Sequence, residues 1–341
     1  MRLSTRLGYG DGFRKTAERA AALERAGIDV FWVAEAYGFD AATQLGYLAA
    51  KTERAQLGSG IFPIYSRTPA LLAQTAAGLD ELSEGRAILG LGASGPQVIE
   101  GWHGVAYDAP VQRTREIIDI CRRVWHREEL RYQGRCYSLP AERGTGLGKP
   151  IKLLTHPVRE RIPIYLASLG ERSVELAAEQ AEGWLPIFYL PEKADAVWGA
   201  PLHRGRARRS PELPPLEIVA GGPLAIGDDV LGLRERERPH LALYVGGMGA
   251  RGKNFYFDLV ARYGFGAEAK TIQDLFLSGQ KQAAAAAVPA ELLEGLSLIG
   301  PASYVRERME ALRASGVTTL DVQPIGEDPL GDVERVKVWL S

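Results

Sequence analysis

A hydroxyl, an amide, a carboxylate and an imidazole stand close together at Ser94, Gln97, Glu100 and His103, just behind glycines at positions 90, 92 and 95. Glycine carries no Cβ, so a turn made of it lets the backbone come close to a ligand. The apolar run Ala87–Leu91 in front of this turn reads as a strand. Polar groups at the carboxyl end of a parallel strand are the common setting of a ligand site in α/β proteins. Three other stretches offer chemistry in the same way. Glu35 and Tyr37 follow the buried run Asp29–Ala34. Gly58 and Gly60 interrupt an apolar run that leads to Tyr65, Ser66 and Arg67; glycines inside a strand mark a bulge or a close backbone approach. Ser168 and Gly170 open a helix after Ile162–Ala167, where unpaired N–H groups and the helix dipole would hold a phosphate. Structural alternatives stand beside these readings. Glu35 either anchors a ligand or pairs with an arginine, Arg67 equally suits a structural ion pair, and His103 equally suits a structural histidine.

These groups need a frame, and strands alternate with helices from end to end. The strands are Arg2–Gly8, Asp29–Ala34, Ala55–Phe62, Ala87–Leu91, Ile162–Ala167, Gly183–Phe188, Leu216–Ile226 and Thr319–Pro324. The helices are Phe13–Ala26, closed by Gly27, then Ala41–Arg54, Pro69–Leu82 with Thr68 as N-cap, about Pro110–His126, Glu171–Ala181, about Glu192–Gly205, Ala302–Ser315 and a last one at the carboxyl end. Strict alternation implies a parallel sheet, and eight units predict a (β/α)8 TIM barrel. No GxGxxG turn follows the first strand, so a Rossmann fold loses its main support. The prediction is one barrel domain over residues 1–341. It carries insertions at about 130–160, after helix 4, and about 232–297, between strands 7 and 8. Insertions on the catalytic face of a barrel commonly cover a substrate; the alternative is an oligomer contact or an extra helical layer. Four arginines between Arg204 and Arg209 read as a solvated loop, with a clamp for an acidic ligand as the alternative.

Composition narrows the function. A formal net charge of −1 over 341 residues gives no basic field, so neither nucleic acid nor an anionic membrane is an expected partner. No apolar run is long enough for a membrane span, and the amino terminus has no signal-peptide core. Cys121 and Cys136 fit no metal spacing, and the five histidines share no helical face at short spacing. No metal is expected. Reduced thiols fit a cytoplasmic protein. A Ser-His-Asp hydrolase lacks its GxSxG elbow.

Together Val33–Ala41, Gly58–Pro69, Leu89–Gly104, Ile162–Gly170 and Ala181–Pro186 resemble the luciferase-like flavin superfamily, in its coenzyme F420-dependent, methylenetetrahydromethanopterin reductase-like branch. The resemblance implies a homodimeric barrel that binds F420 across its carboxyl end and transfers hydride between the reduced deazaflavin and a C=C, C=N or C=O bond of a small-molecule substrate. It places a cis peptide at Gly60-Ile61 under the ring and Glu35 near it. Ser94, Gly95 and Gln97 match contacts to ring and side chain, and Ala167, Ser168, Leu169 and Gly170 match a phosphate-binding turn. Glu35, Glu100, His103 and Tyr65, in that order, are candidates to supply a proton; Glu35 would need a raised pKa. The sugar-phosphate dehydrogenases of the superfamily have His directly after the strand-two carboxylate and Glu in the strand-four turn. This chain has Ala36 and Pro96 there, so a glucose-6-phosphate substrate is not expected. Two other readings remain: an FMN-dependent monooxygenase, and a non-catalytic flavin-binding protein.

Overall fold

The computed structural model describes residues 1–8 and 12–340. Eight parallel strands close into a ring: β1 Arg2–Leu7, β2 Val30–Val33, β3 Gln56–Ser59, β4 Ala87–Gly92, β5 Ile164–Ala167, β6 Gly183–Trp184, β7 Glu217–Ile226 and β8 Thr319–Pro324. β7 pairs with both β6 and β8, and β1 lies between β8 and β2, which closes the ring. Closure gives each of the eight ring strands a neighbour on both sides. β3 breaks after Ser59 and resumes at Phe62-Pro63, which pair with Leu91 and Gly92. The Gly60-Ile61 bond in the gap is cis.

Alternation along β1 decides what faces where. Leu3 and Leu7 join the apolar layer between strands and helices, whereas Arg2, Ser4 and Arg6 point into the barrel. The barrel interior is filled by Val30, Trp32, Ile88, Tyr165 and Val219. Glycine makes this possible. A Cβ on Gly58 would stand 2.3 Å from the Trp32 ring, and one on Gly183 would stand 2.3 Å from Tyr165. The two large rings, 5.4 Å apart, occupy space their neighbours vacate. At the amino end Arg2 donates to Gln56, Tyr165 and Glu217, which plugs the barrel floor.

Local chemistry sets the helix ends. Asp40 caps Ala41–Ala49 by accepting from the Thr43 N–H at 2.8 Å. Thr68 caps Pro69–Leu82, with Pro69 in its first turn. Gly27, at φ 120°, ends Phe13–Ala26 in a conformation that a side chain would resist. The second helix is shorter than expected and stops at Ala49. A short helix, Pro96–Gly101, and a short strand, Leu298–Gly300, which pairs with Leu224–Ile226, were not anticipated.

The two insertions go to opposite places. Residues 130–160 follow Pro110–Trp125 and lead into the amino end of β5. They carry a hairpin, Tyr132–Gln133 with Ser138–Leu139, against that helix. Glu116 on the helix accepts from the N–H groups of Arg135, Cys136 and Tyr137. Arg159 holds the buried Asp80 and the first carbonyl of β4. This insertion therefore flanks the barrel wall and does not cover the catalytic face. Residues 232–297 leave and rejoin the carboxyl end of β7 as a set of helices, so they stand at the mouth. No helix among the described residues is long and apolar enough to cross a membrane. The four arginines between Arg204 and Arg209 are mostly exposed, as expected, but they stand at the end of the helix Ala200–Ala207 and not in a loop. Arg204 and Arg208 pair with Glu175 on the neighbouring helix, and Arg209 donates to the carbonyls of Ala178 and Ala181.

Candidate active site

The mouth at the carboxyl ends of the strands has two halves. The first is built by β2 to β5, and backbone does most of the work in it. A Cβ on Gly90 would lie 1.7 Å from the Ser59 carbonyl oxygen, so β3 and β4 touch main chain to main chain. Ser59 replaces the missing ladder bonds: its Oγ donates to the Gly90 carbonyl at 2.8 Å and accepts from the Gly90 N–H at 2.9 Å. One turn higher, a Cβ on Gly92 would meet Ile61 Cγ1 at 2.9 Å and the Ala167 Cβ at 3.4 Å. Ile61 and Ala167 thus close over Gly92 and make an apolar floor across three strands. Ser94, at φ 58°, sits in left-handed backbone at the end of β4. Ala36 after β2 and Phe188 after β6 do the same, at φ 45° and 53°. Strained non-glycine backbone of this kind gathers at functional sites.

The turn after β5 is fixed from behind. Trp184 Nε1 donates to the Ser168 carbonyl at 2.9 Å, and Trp198 Nε1 to the Leu169 carbonyl at 3.2 Å. Gly170 begins the helix Glu171–Gln180 with no side-chain cap. Among the described residues, the N–H groups of Glu171 and Arg172 have no backbone acceptor, and the buried Ser168 Oγ has no partner. These three donors need an acceptor, and an anion at the positive end of the helix dipole supplies one.

The proton-donor candidates fare unequally. Glu35 is 7% exposed and accepts from Arg67 through both oxygens, at 2.6 and 2.7 Å, and from the Ala41 N–H at 3.1 Å. Arg67 also bonds Asp40 and lies 4.4 Å over the Phe62 ring. Both carboxylate oxygens are thus committed to donors of the chain itself, so Glu35 is a brace between β2, β3 and the helix cap, and neither oxygen is left to face a substrate. The Tyr65 hydroxyl donates to the Asp108 carbonyl at 2.8 Å, and burial pushes its pKa far up. It ties two loops together and holds its proton. Glu100 is exposed and accepts from the Tyr107 N–H at 3.2 Å. His103 is half-buried, with an Nε2 that has no partner among the described residues. Gln97 is exposed on the short helix after the β4 turn.

The second half of the mouth joins β6, β7, β8 and β1 to the helix Arg238–Gly247 of the insertion. It surrounds a small pocket, partly open to solvent, with Arg6, Phe188, Glu237, His240, Asp321 and Gln323 among its lining residues. Asp321, 3% exposed, accepts from the Ser4 hydroxyl at 2.9 Å and faces Arg6 Nε at 2.9 Å. The Phe188 ring lies edge-on to His240, Tyr244 and Tyr256. Burial pushes Glu237 above the ordinary carboxylate range. Burial, with Arg6 adding its charge, lowers His240, and burial pushes Tyr256 up to about 12.

None of these residues stood out in the sequence. Two could have: Arg6 and Asp321 are charges at inward positions of otherwise apolar strands, where an unpaired charge is costly. Glu237, His240 and Tyr244 gave no signal, because only the tertiary fold brings their helix over the mouth.

The model of the family described as luciferase-like monooxygenase matches residues 1–319. The chain belongs to the luciferase-like family. Within it, a protein of Mycobacterium tuberculosis named "Putative coenzyme F420-dependent oxidoreductase" is 44% identical over 331 residues, 94% of each chain. The 5,10-methylenetetrahydromethanopterin reductase of Archaeoglobus fulgidus is 27% identical, over 92% of this chain and 90% of its own. Among solved structures, the coenzyme F420-dependent tetrahydromethanopterin reductase of Methanopyrus kandleri superposes with a TM-score of 0.81 at 23% identity, over 98% of this chain and 97% of that one. The fold is therefore that of a luciferase-like barrel over essentially the whole length, the insertion at the mouth included.

Proposed function

We propose that this luciferase-like protein transfers a hydride between coenzyme F420 and a small organic substrate, with the two held in opposite halves of the mouth. It is an oxidoreductase of the F420-using branch of its family, as its relatives are named. The fit of its residues to that cofactor is the observation that carries the reading. An uncapped helix N-terminus and the unpartnered Ser168 hydroxyl supply donors for a phosphate, and Ile61, Gly92 and Ala167 supply an apolar floor for a ring.

When bound, F420 supplies the hydride chemistry; the chain binds, orients and shields. Ala167, Ser168, Leu169 and Gly170 would hold a phosphate. Gly60 and Ile61, with Ser94, Gly95 and Gln97 from the β4 turn, would contact the ring. Glu35 acts through Arg67, keeping the ends of β2 and β3 in place. Glu100 is exposed on the same rim, and His103 beside it keeps a buried Nε2 with no partner among the described residues.

Titration of the purified protein with F420 and, separately, with FMN tests the reading, with fluorescence quenching as the readout. Saturable binding of F420 well ahead of FMN is expected. A preference for FMN overturns it and points to an oxygen-using flavin enzyme.

A further inference from the structure

Arg2 and Arg6 occupy equivalent inward positions at the two ends of β1, and only one of them is saturated. At the floor, Arg2 gives its Nη groups to Gln56, Tyr165 and Glu217. At the mouth, Arg6 faces Asp321 through Nε at 2.9 Å, and neither of its Nη groups has an acceptor among the described residues. A guanidinium carries five N–H donors in a rigid fork. Here one edge is pinned by a carboxylate that is itself fixed by Ser4, and the other edge is left for the cavity that Arg6 lines. Arg2 and Arg67, by contrast, give both Nη groups to acceptors of the chain.

We infer that this free edge is the recognition element for the substrate, and that the substrate is an apolar carbonyl compound whose oxygen accepts from Arg6. The cavity's other walls decide the class. Ile187, Phe188, Leu241, Leu293 and Leu296 offer an apolar or aromatic body a place to lie. Two carboxylates, Asp321 and Glu237, already share the cavity with a single arginine, so a further negative charge is disfavoured, while a neutral acceptor meets a charge-assisted donor. Such a bond draws electron density toward the oxygen, which makes the carbonyl carbon, or the β-carbon of an enone, a better hydride acceptor. The inference rests on the hydride-transfer reading for its chemistry, but its test does not need the cofactor.

Benzylideneacetone, a neutral aryl enone, serves as the probe with the full chain and no F420. Its strong π→π* absorption moves to the red when its oxygen accepts a charged hydrogen bond. The expected result is saturable binding with a red shift in the wild type. In Arg6→Gln the shift is lost and binding weakens about tenfold or more. Because that variant leaves Asp321 buried without its partner, Arg6→Gln combined with Asp321→Asn is measured alongside; it removes both charges and is expected to lose the shift equally. Absence of binding, binding without a shift, a shift that persists in both variants, or tighter binding of cinnamate than of the ketone each overturns the inference. F420 titrated separately keeps the readings distinct. A red shift without F420 binding sinks the cofactor reading and leaves Arg6 standing; F420 binding without a red shift does the reverse.

Discussion

The β2–β5 half of the mouth is made of backbone, and the half around β6, β7, β8 and β1 is made of side chains. In the first, Gly90 and Gly92 bring main chains into contact, Ser94 holds left-handed backbone, and a helix end presents bare N–H groups. In the second, Arg6, Asp321, Glu237 and His240 line a cavity whose roof is an inserted helix. A surface made of backbone suits a ligand that does not change. A surface made of side chains on an insertion can be altered one residue at a time. That division matches a constant cofactor on one side and a variable substrate on the other, and it makes the halves respond differently to mutation.

The largest effect is expected from Gly90→Ala. A Cβ 1.7 Å from the Ser59 carbonyl forces β3 and β4 apart and breaks both Ser59–Gly90 hydrogen bonds. The loss should be about 3 kcal/mol or more, read as a lower urea midpoint, and F420 binding should fall with it. His240→Ala, on the inserted helix of the other half, should cost less than ~1 kcal/mol and leave F420 binding intact. Equal losses in the two variants would break the comparison.

Next comes the brace. Glu35 and Arg67 are both largely buried, so Arg67→Met leaves a buried carboxylate without its partner, at a cost of about 3 kcal/mol. Glu35→Gln keeps an acceptor for the Ala41 N–H and should cost about half as much. The double variant should cost less than the sum, since the interaction can be lost only once. If Glu35 were instead the proton donor, Glu35→Gln would change the pH profile of turnover; we expect that profile to keep its shape.

The two halves also differed in legibility, for one physical reason. Features made by neighbours in sequence leave a local mark. Thr68 before Pro69, Gly27 after Ala26, the glycines of β3 and β4, and the Ser-Leu-Gly opening of the helix after β5 all depend on their immediate surroundings, so eight strands and the turns at their ends could be placed. Glu35 could be found but not assigned, because Arg67 lies 32 residues away and the choice between acid and brace depends on it. The Arg6–Asp321 pair joins opposite ends of the chain, and no window of sequence contains both. The insertion at 130–160 could be seen as irregular, but the face it takes follows from coming after a helix and not after a strand.

Ser168→Ala sharpens the contrast within the cofactor half. The hydroxyl has no partner in the described structure, so its removal should leave the unfolding midpoint unchanged. If it meets a phosphate, F420 should bind about fivefold more weakly, the worth of one hydrogen bond of roughly 1 kcal/mol. Unchanged affinity would mean that the helix N-terminus alone holds the anion, or that the anion binds elsewhere.

The smallest effect belongs to Glu237, and it has a sign that can be worked out. Burial raises its pKa in the folded protein above the unfolded value of 4.5. The fold therefore favours the neutral acid. That contribution is fully present below pH 4.5 and is lost as pH rises through the folded value, because the carboxylate must then be held half-buried with no ion pair. Glu237→Gln replaces the acid with a neutral amide of the same shape. Relative to the wild type, the variant should gain stability at pH 7, by less than ~1 kcal/mol given the residue's partial exposure, and the gain should shrink toward zero near pH 4. A melting-temperature series across that range reads it directly. A difference that stays constant with pH would mean that Glu237 is solvated in the free protein. The solvent that reaches the pocket would then reach its carboxylate too, and Glu237 would add an unshielded charge to the side-chain-built half beside Arg6 and Asp321.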